Sequence, residues 1–258
     1  MFREILKYRD LMFMLTLRDI RIRYKQAAMG YLWAIFMPII AVLSGIIIKA
    51  AISIVSGKAI DLSEVSSIAV KVLPWTFFIS SIRFSVNSLV GNRELVTKVY
   101  FPREVFPFAS ILACLFDFAI AAASLSIILI FTHIGISVHI LWVPLILIFL
   151  ILLTSGLGLI FASANLFFRD VKYIVEIILM FGIFFTPVFY EAGTFGKWKA
   201  LLLLNPIGSI LDGLNSAVVL HTMPSVLWTF YAGVSSIMVF SAGLYIFHKS
   251  EPYFSENI

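Results

Sequence analysis

Long apolar stretches alternate with short polar connections along almost the whole chain. Six of them are about 20 residues or longer and carry few charges; they cover residues 31–55, 66–90, 107–132, 140–168, 171–190 and 225–247. At about 1.5 Å per residue, a helix of this length spans a hydrocarbon core of about 30 Å. The pattern therefore predicts an all-α polytopic membrane protein with six transmembrane helices.

A further apolar stretch, 200–223, is divided in two by Asn205-Pro206. Neither piece is long enough to cross the membrane, and proline breaks a helix. A break of this kind must lie against protein or line a water-filled cavity. We expect a re-entrant helical hairpin on the extracytoplasmic side, between the fifth and sixth helices. An amphipathic helix lying on the outer surface is the alternative.

The composition supports the membrane class. Hydrophobic residues make up 61% of the chain and charged residues 13%, and the mean hydropathy is +1.04. One soluble core could not bury so much apolar surface. The first apolar run follows a charged segment and has no signal-peptide pattern, so we expect the first helix to stay in the mature protein. With Cys114 as the single cysteine, an internal disulfide is excluded.

Basic residues predict the orientation. Seven Lys or Arg residues precede the first predicted span and five lie in the second and fourth connections, against three on the opposite side. Basic loops stay cytoplasmic, so both termini are predicted to lie on the cytoplasmic side of the membrane. We expect one transmembrane domain, 1–258, made of a cytoplasmic interfacial helix (1–29), a six-helix bundle (30–247) and a cytoplasmic tail (248–258).

The N-terminal segment is predicted to form a helix in the membrane interface. Apolar residues recur on one face, and cations lie close by: Phe13, Leu17, Ile20 and Tyr24, with Arg18, Arg21, Arg23 and Lys25. Anchoring to anionic lipid explains these cations. Capture of a phosphate-bearing lipid headgroup is a second explanation, since guanidinium groups bind phosphate oxygens bidentately. The two explanations are compatible.

Two charges lie inside predicted spans at similar depth. Arg83 in the second helix and Asp117 in the third differ by about 6 Å at helical rise, and charges at membrane depth need partners. The sequence predicts an ion pair between them.

Aromatic residues are abundant, with 25 Phe. An aromatic ring can pack against the CH-rich face of a sugar, so an aromatic-lined channel could pass a glycan without binding it tightly. The channel or gate candidates are Tyr31, Trp33, Phe36, Trp75, Phe77, Phe181, Phe184, Phe185 and Tyr190. Contact with lipid or with neighbouring helices is the alternative for each.

The chain resembles, over nearly its whole length, the permease subunit of ABC transporters that export polysaccharide or polyol phosphate: the O-antigen, capsule and teichoic acid exporters. The resemblance rests on five segments in order: "RDIRIRYKQAAMGYLWAIFMP", "NSLVGNRELVTKVYFPREVFPFASIL", "LFFRDVKYIVEIILMFGIFFTPVFYEA", "LLLLNPIGSIL" and "EPYFSENI". It implies export of a polymer carried on a polyprenyl diphosphate lipid across a bacterial inner membrane, by a permease dimer working with two ATPase subunits. The chain departs from many relatives in two features. Its extracytoplasmic loops are short, and its fifth span has no amide side chain ahead of the Thr-Pro pair.

The chain lacks the phosphate-binding pattern G-x-x-x-x-G-K-[ST], so ATP hydrolysis would require a separate polypeptide. A short helix predicted at 92–101 corresponds to the coupling helix of the resembled family, and the 169–171 connection is a second cytoplasmic contact. The candidate coupling residues are Asn92, Arg93, Glu94, Leu95, Lys98, Tyr100, Arg169 and Asp170. A solvated loop helix without a partner is the alternative. No cofactor is expected in this chain, because ATP and Mg would bind the partner subunit.

Other functions find weaker support. An intramembrane enzyme would need a catalytic set, but Ser155 lacks the Gly two positions earlier that a G-x-S-G motif requires, and His133 and His139 are too few for a metal site. A secondary carrier is weakened because no internal repeat is found. An ABC permease for teichoic acid, capsule, a non-glycan lipid or a drug remains an alternative. We expect no nucleic-acid partner; the expected partners are a second copy, two ATP-binding cassette subunits, the lipid-linked glycan and membrane lipids.

Overall fold

The computed structural model describes residues 8–25, 29–56, 61–98, 101–131, 135 and 137–254. Within these ranges the regular structure is entirely helical, which confirms the predicted all-α class. The α-helices are α1 (Arg9–Tyr24), α2 (Trp33–Ser56), α3 (Leu62–Gly91), α4 (Arg93–Lys98), α5 (Val105–Phe131), α6 (Trp142–Phe167), α7 (Val171–Gly182), α8 (Lys199–Leu203), α9 (Pro206–Val218) and α10 (Val226–Ser250). Parts of the predicted interfacial segment and tail, 1–7, 26–28 and 255–258, lie outside the described residues.

Five segments in the described ranges are long and apolar enough to cross a membrane. They are Gly30–Ala51, Ser63–Gly91, Val105–Ile127, Val138–Phe167 and Val226–Tyr253, and they coincide with five of the six predicted spans. The chain is therefore a multi-pass membrane protein.

The predicted fifth span, 171–190, is not one continuous helix. Helix α7 has 12 residues and ends at Gly182, so it is about 18 Å long. Turns follow, in which the amides of Phe184 and Phe185 bond to carbonyls three positions earlier. Pro187 supplies the reason: it has no amide hydrogen and disfavours a helical conformation in the residue before it.

Helices α6 and α10 pack along each other with their backbones in contact. A Cβ added to Gly156 would lie 2.6 Å from backbone atoms of Val239 and Phe240, and one added to Gly243 would overlap the carbonyl of Gly156. Small residues at such a crossing allow close approach, which stabilises helix pairs in lipid by van der Waals contact.

Helix α3 lies at the centre and packs against α5, α6 and α9. Its side chains Ile82, Val86 and Leu89 are fully buried. Two polar contacts cross between helices: Asn165 Nδ2 donates to the Val86 carbonyl at 2.9 Å, and Ser85 Oγ donates to the Pro107 carbonyl at 3.3 Å. These contacts join α3 to α6 and to the start of α5.

The predicted break at Asn205-Pro206 is confirmed. Helix α8 ends at Leu203, Asn205 has an extended backbone, and α9 begins at Pro206. Polar groups at the break have hydrogen-bond partners. The Tyr231 hydroxyl donates to the Leu204 carbonyl at 2.7 Å, and Asn205 Nδ2 donates to Thr186 Oγ1 at 3.0 Å. Most of α9 is buried against α3, α6 and α10, unlike a helix lying on the outer surface.

The bundle has two distinct ends. Helix α9 lies beside the starts of α6 and α10, because a Cβ on Gly213 would lie 3.2 Å from Ile146 and 3.9 Å from Thr229. A separate hydrophobic cluster occupies the opposite end, where α1, α4, the start of α5 and the ends of α3, α6 and α10 meet. We call this end the α4 end.

We expect Gly156→Leu to destabilise the bundle, because its side chain would force α6 away from α10. Overpacking of this kind costs about 1–3 kcal/mol or more. Thermal unfolding of the detergent-solubilised protein, followed by size-exclusion fluorescence, measures the effect. Gly193→Ala is the control, since a Cβ there meets no atom within 4 Å; equal melting of both variants would contradict the packing described.

Candidate functional site

A cavity of about 510 Å³ opens near the α4 end between the end of α1, the start of α2, and helices α3 and α5. Its polar lining includes Arg23, Tyr24, Arg83 and Asp117. Its aromatic lining includes Trp33, Phe77, Phe84 and Phe118. The cavity therefore combines guanidinium groups with aromatic rings on neighbouring helices. We call it the cationic cavity.

Asp117 is the polar centre of the cationic cavity. Its Oδ2 lies 2.7 Å from Arg23 Nη1, and its Oδ1 accepts a 2.7 Å hydrogen bond from the Tyr24 hydroxyl. Burial and the hydrogen bond to Asp117 raise the pKa of Tyr24, so its phenol stays protonated and donates. The guanidinium of Arg23 also lies 3.8 Å from the ring centroid of Phe84, a cation–π distance. These contacts fasten the end of α1 to α3 and α5.

The predicted ion pair between Arg83 and Asp117 is wrong. Asp117 pairs with Arg23, and Arg83 Nε lies 3.7 Å from Glu176 Oε1 on α7. The depth of a residue along a helix does not determine which neighbouring helix its side chain faces. Helix α1 places Arg23 beside Asp117. Both partners of the Arg83 pair are about half exposed, so that pair is weak.

The four predicted headgroup cations do not form one uniform stripe. Arg23 is largely buried against Asp117, and Arg18 Nη2 lies 2.8 Å from Asp19 Oδ1. Arg21 and Lys25 are exposed. The predicted apolar face is also shifted, because α1 buries Leu15, Thr16 and Ile20 while Phe13 is 61% exposed. Packing of α1 against α5 explains the shift.

The aromatic candidates fall into two groups. Trp75 and Phe77 are buried in the core, where Trp75 stacks on Phe78 at 5.7 Å and Phe77 borders the cationic cavity. The second group lies near α2 and α7 and is exposed: Tyr31, Phe36, Phe181, Phe184 and Phe185. Trp33 is half-buried and packs edge-on against Phe36 at 5.9 Å.

Tyr190 is held in the segment that follows α7. The buried ammonium of Lys71 donates to its carbonyl at 2.7 Å, and its own hydroxyl donates to the Phe184 carbonyl at 2.9 Å. Lys71 was not among the predicted site residues. An isolated lysine inside a predicted span was the available signal, because a charge at that depth needs a partner.

The short helix predicted at 92–101 is present as α4, Arg93–Lys98, while its coupling role stays a prediction. Its Val96 is buried while Arg93, Glu94 and Leu95 are exposed, so the apolar contact lies one position beyond the predicted Leu95. Asn92 does not cap α4 through its side chain; its Nδ2 donates back to the Ser88 carbonyl at 2.8 Å. Lys98 ends the helix, and residues 99–100, which include Tyr100, lie outside the described residues. Arg169 and Asp170 are exposed in the turn between α6 and α7.

A polar clamp follows α4 and was missed by the sequence reasoning. Glu104 is buried, and its Oε1 lies 3.1 Å from His248 Nδ1 at the end of α10. Glu251 Oε2 lies 3.6 Å from the same nitrogen, and Arg103 Nη1 donates to the Glu251 carbonyl at 2.7 Å. The contacts join residues almost 150 positions apart, so no local pattern could reveal them.

The model of the ABC-2 type transporter family matches residues 10–219, from the start of α1 to the end of α9. The chain belongs to this family. A relative from Klebsiella pneumoniae, an O-antigen export system permease protein RfbA, is 27% identical over 256 residues, which cover 96% of this chain and 94% of the relative. A protein of the same name from Myxococcus xanthus is 26% identical over 259 residues, which cover 99% and 98% of the two chains.

As an ABC-2 permease, the chain is a transport subunit, and its family implies ATP-binding cassette partners. The exposed residues of α4 and of the α6–α7 turn lie at the same end of the bundle, since Asn165 near the end of α6 bonds to Val86 near the end of α3. This end of the permease therefore exposes polar residues of both segments, Arg93 and Glu94 on α4 and Arg169 and Asp170 in the turn.

We expect Asp117→Asn to destabilise the permease, because it leaves the mostly buried guanidinium of Arg23 without its carboxylate. An unpaired buried charge costs about 3–5 kcal/mol, and the 15% exposure of Arg23 reduces this value. Thermal unfolding measures the loss. Glu176→Gln is the control, because the Arg83 pair is half exposed; a larger loss for Glu176→Gln would contradict the assignment.

Phe254→Ala should also destabilise the permease. Phe254 is fully buried between the rings of Phe167 and Phe247, at centroid distances of 6.0 and 5.2 Å. Removing a core phenylalanine costs about 3–5 kcal/mol. Neighbouring Tyr253 is 57% exposed, so Tyr253→Ala should leave the melting temperature nearly unchanged; a reversed order would show that the tail is not packed as described.

Proposed function

We propose that this chain is the membrane subunit of an ATP-driven exporter that moves a polysaccharide, such as O-antigen, across the bacterial inner membrane on a polyprenyl diphosphate lipid. Two ATP-binding cassette subunits would hydrolyse ATP with Mg, and this chain would need no cofactor of its own. The observation that carries the proposal is the cationic cavity, where Arg23 and Arg83 lie beside aromatic rings in a permease whose relatives are named for O-antigen export.

The proposed orientation places the α4 end in the cytoplasm. Basic residues are concentrated at this end: Arg18, Arg21, Arg23, Arg93, Arg103 and Arg169. Positive residues are retained on the cytoplasmic side. Both termini then lie in the cytoplasm, with α1 in the membrane interface. Helix α7 and residues 183–190 together make the sixth crossing, and α8 with α9 forms the re-entrant hairpin on the extracytoplasmic side.

The channel is proposed to form between two copies of the chain. Helix α2 and helix α7 each leave an apolar, aromatic face uncovered, represented by Tyr31 and Phe36 on the α2 side and by Phe181, Phe184 and Phe185 on the α7 side. Exposed aromatic faces of this size fit an assembly interface or a glycan path. Tyr190 would stand at the extracytoplasmic end of that path.

The cations of α1 are proposed to attract the diphosphate. Arg21 and Lys25 are exposed and available to phosphate oxygens, whereas Arg18 and Arg23 each hold a carboxylate. Guanidinium groups suit this ligand because they bind phosphate bidentately. ATP-driven motion would reach the bundle through α4, with Arg93, Glu94 and Leu95 as contacts, and through the turn at Arg169 and Asp170.

Depleting this chain should cause lipid-linked polysaccharide to accumulate inside the cell while the surface loses it. Mass spectrometry of the lipid-linked glycan, with surface glycan measured in parallel, tests this and identifies the cargo. Unchanged pools would contradict a glycan cargo and would favour an ABC permease for another lipid or a drug.

Complementation of depleted cells with charge variants tests whether the α1 cations have a specific role in export. Each cation near the membrane contributes about 1 kcal/mol, so Arg21→Gln with Lys25→Gln should weaken headgroup attraction by about 30-fold and slow export at limiting carrier. Lys197→Gln with Lys199→Gln removes two exposed cations from the opposite end and serves as the matched control. Equal export by the two double variants would contradict headgroup capture.

A further inference from the structure

An apolar groove of about 290 Å³ runs between α2, α3 and α5. One wall is formed by large aliphatic side chains of α2, among them Ile35, Ile39 and Leu43. The opposite wall comes from α3 and α5 and combines small side chains, among them Ala69 and Ser124, with leucines such as Leu73. Its lining contains no charged and no aromatic residue.

The groove continues directly into the cationic cavity. Pro38, Leu73 and Ala121 line both spaces. Along α2 the combined lining runs from Trp33 to Ile46, a distance of about 20 Å at helical rise. This length is about two thirds of the hydrocarbon thickness of a membrane.

Charge changes from one end of this path to the other. The cavity end carries two guanidinium groups: Arg23 is held by Asp117, and Arg83 is paired with Glu176 only at 3.7 Å and half exposed. An exposed pair of this kind is weak, so Arg83 can exchange Glu176 for an anionic ligand. The groove end offers only apolar side chains and two serines. A complementary ligand therefore has an anionic head and one long hydrocarbon tail.

We propose that this groove binds the polyprenyl chain of the lipid diphosphate carrier while the carrier's phosphates lie at the cationic cavity. The inference rests on the proposed function and adds the site of the tail. Lipid tails are as apolar as leucine side chains, so transfer from bilayer to groove gains little hydrophobic free energy. Selectivity must then come from the covalent connection between head and tail. The groove begins at the cationic cavity, so only a molecule that carries both parts gains the phosphate contact and the tail contact together.

Photolabelling of the intact permease with its ATPase partner tests the site. The probe is a polyprenyl diphosphate with a diazirine on its isoprenoid chain, in vesicles of phosphatidylethanolamine and phosphatidylglycerol. We expect adducts within 35–46, 65–73 and 121–129. Excess unlabelled polyprenyl diphosphate should reduce them about tenfold, whereas added phosphatidylglycerol should not.

Filling the groove supplies the variant arm. Ala69→Phe and Ser124→Phe place a ring in the groove and should each lower the labelling about tenfold, because the ring takes the space of the tail. Ser124 is only half-buried, so it provides a test if Ala69→Phe does not fold. Ala242→Phe, at an exposed position of α10, is the control and should label like the unaltered protein.

The outcomes distinguish the tail site from the proposed function. Adducts in the groove that phosphatidylglycerol competes away equally well would show that the groove holds bulk lipid, which overturns the inference. Saturable adducts elsewhere, such as on α7, would overturn the tail site and leave the lipid-diphosphate cargo standing. No saturable labelling at any position would overturn both.

Discussion

Hydrocarbon offers no hydrogen-bond partner, so a polar group inside this bundle is stabilised by a partner within the protein. Three sets of described contacts show this constraint at work. Asn165 bonds to the carbonyl of Val86, Lys71 to the carbonyl of Tyr190, and Asp117 to both Arg23 and Tyr24. Each of these contacts joins segments that are distant in sequence. Satisfying buried polar groups thus also fixes how the helices are arranged.

Close backbone packing supplies the second part of the architecture. Lipid gives little hydrophobic drive for helix association, so packing contacts must hold the helices together. Gly156 and Gly243 bring α6 and α10 together, and α3 and α9 pack against this pair. Helix α2 is mostly uncovered by comparison. The bundle therefore consists of a tightly packed centre with one long helix and the face of α7 left for other partners.

Local signals in the sequence predicted the local structure. Long apolar runs predicted five spans, and Asn205-Pro206 predicted a helix break, because length and proline act on the chain where they occur. The continuous helix expected over 171–190 is not formed, because Pro187 outweighs the apolar composition of that segment. Composition measures how apolar a segment is, while the helix ends where its hydrogen bonds can no longer form.

Contacts between helices were harder to predict because they depend on direction as well as depth. Arg83 and Asp117 have similar depths, yet Asp117 faces α1 and Arg83 faces α7. Trp75 and Phe77 likewise lie in an apolar span, and the sequence does not indicate that they face the core. The clamp between Glu104 and His248 depends on the chain returning to the α4 end after α10, which only the assembled bundle reveals.

The position of α4 gives the proposed transport cycle a physical route. Val96 of α4 belongs to one hydrophobic cluster with Leu89 of α3 and Phe106 of α5. Arg83 lies on α3 six residues before Leu89, about 9 Å away at helical rise. Asp117 lies on α5, eleven residues after Phe106, and both charged residues line the cationic cavity. A displacement of α4 by an ATPase would move the two helices that carry the walls of the cationic cavity. Because close-packed side chains transmit displacement, the ATPase surface and the lipid site would change together.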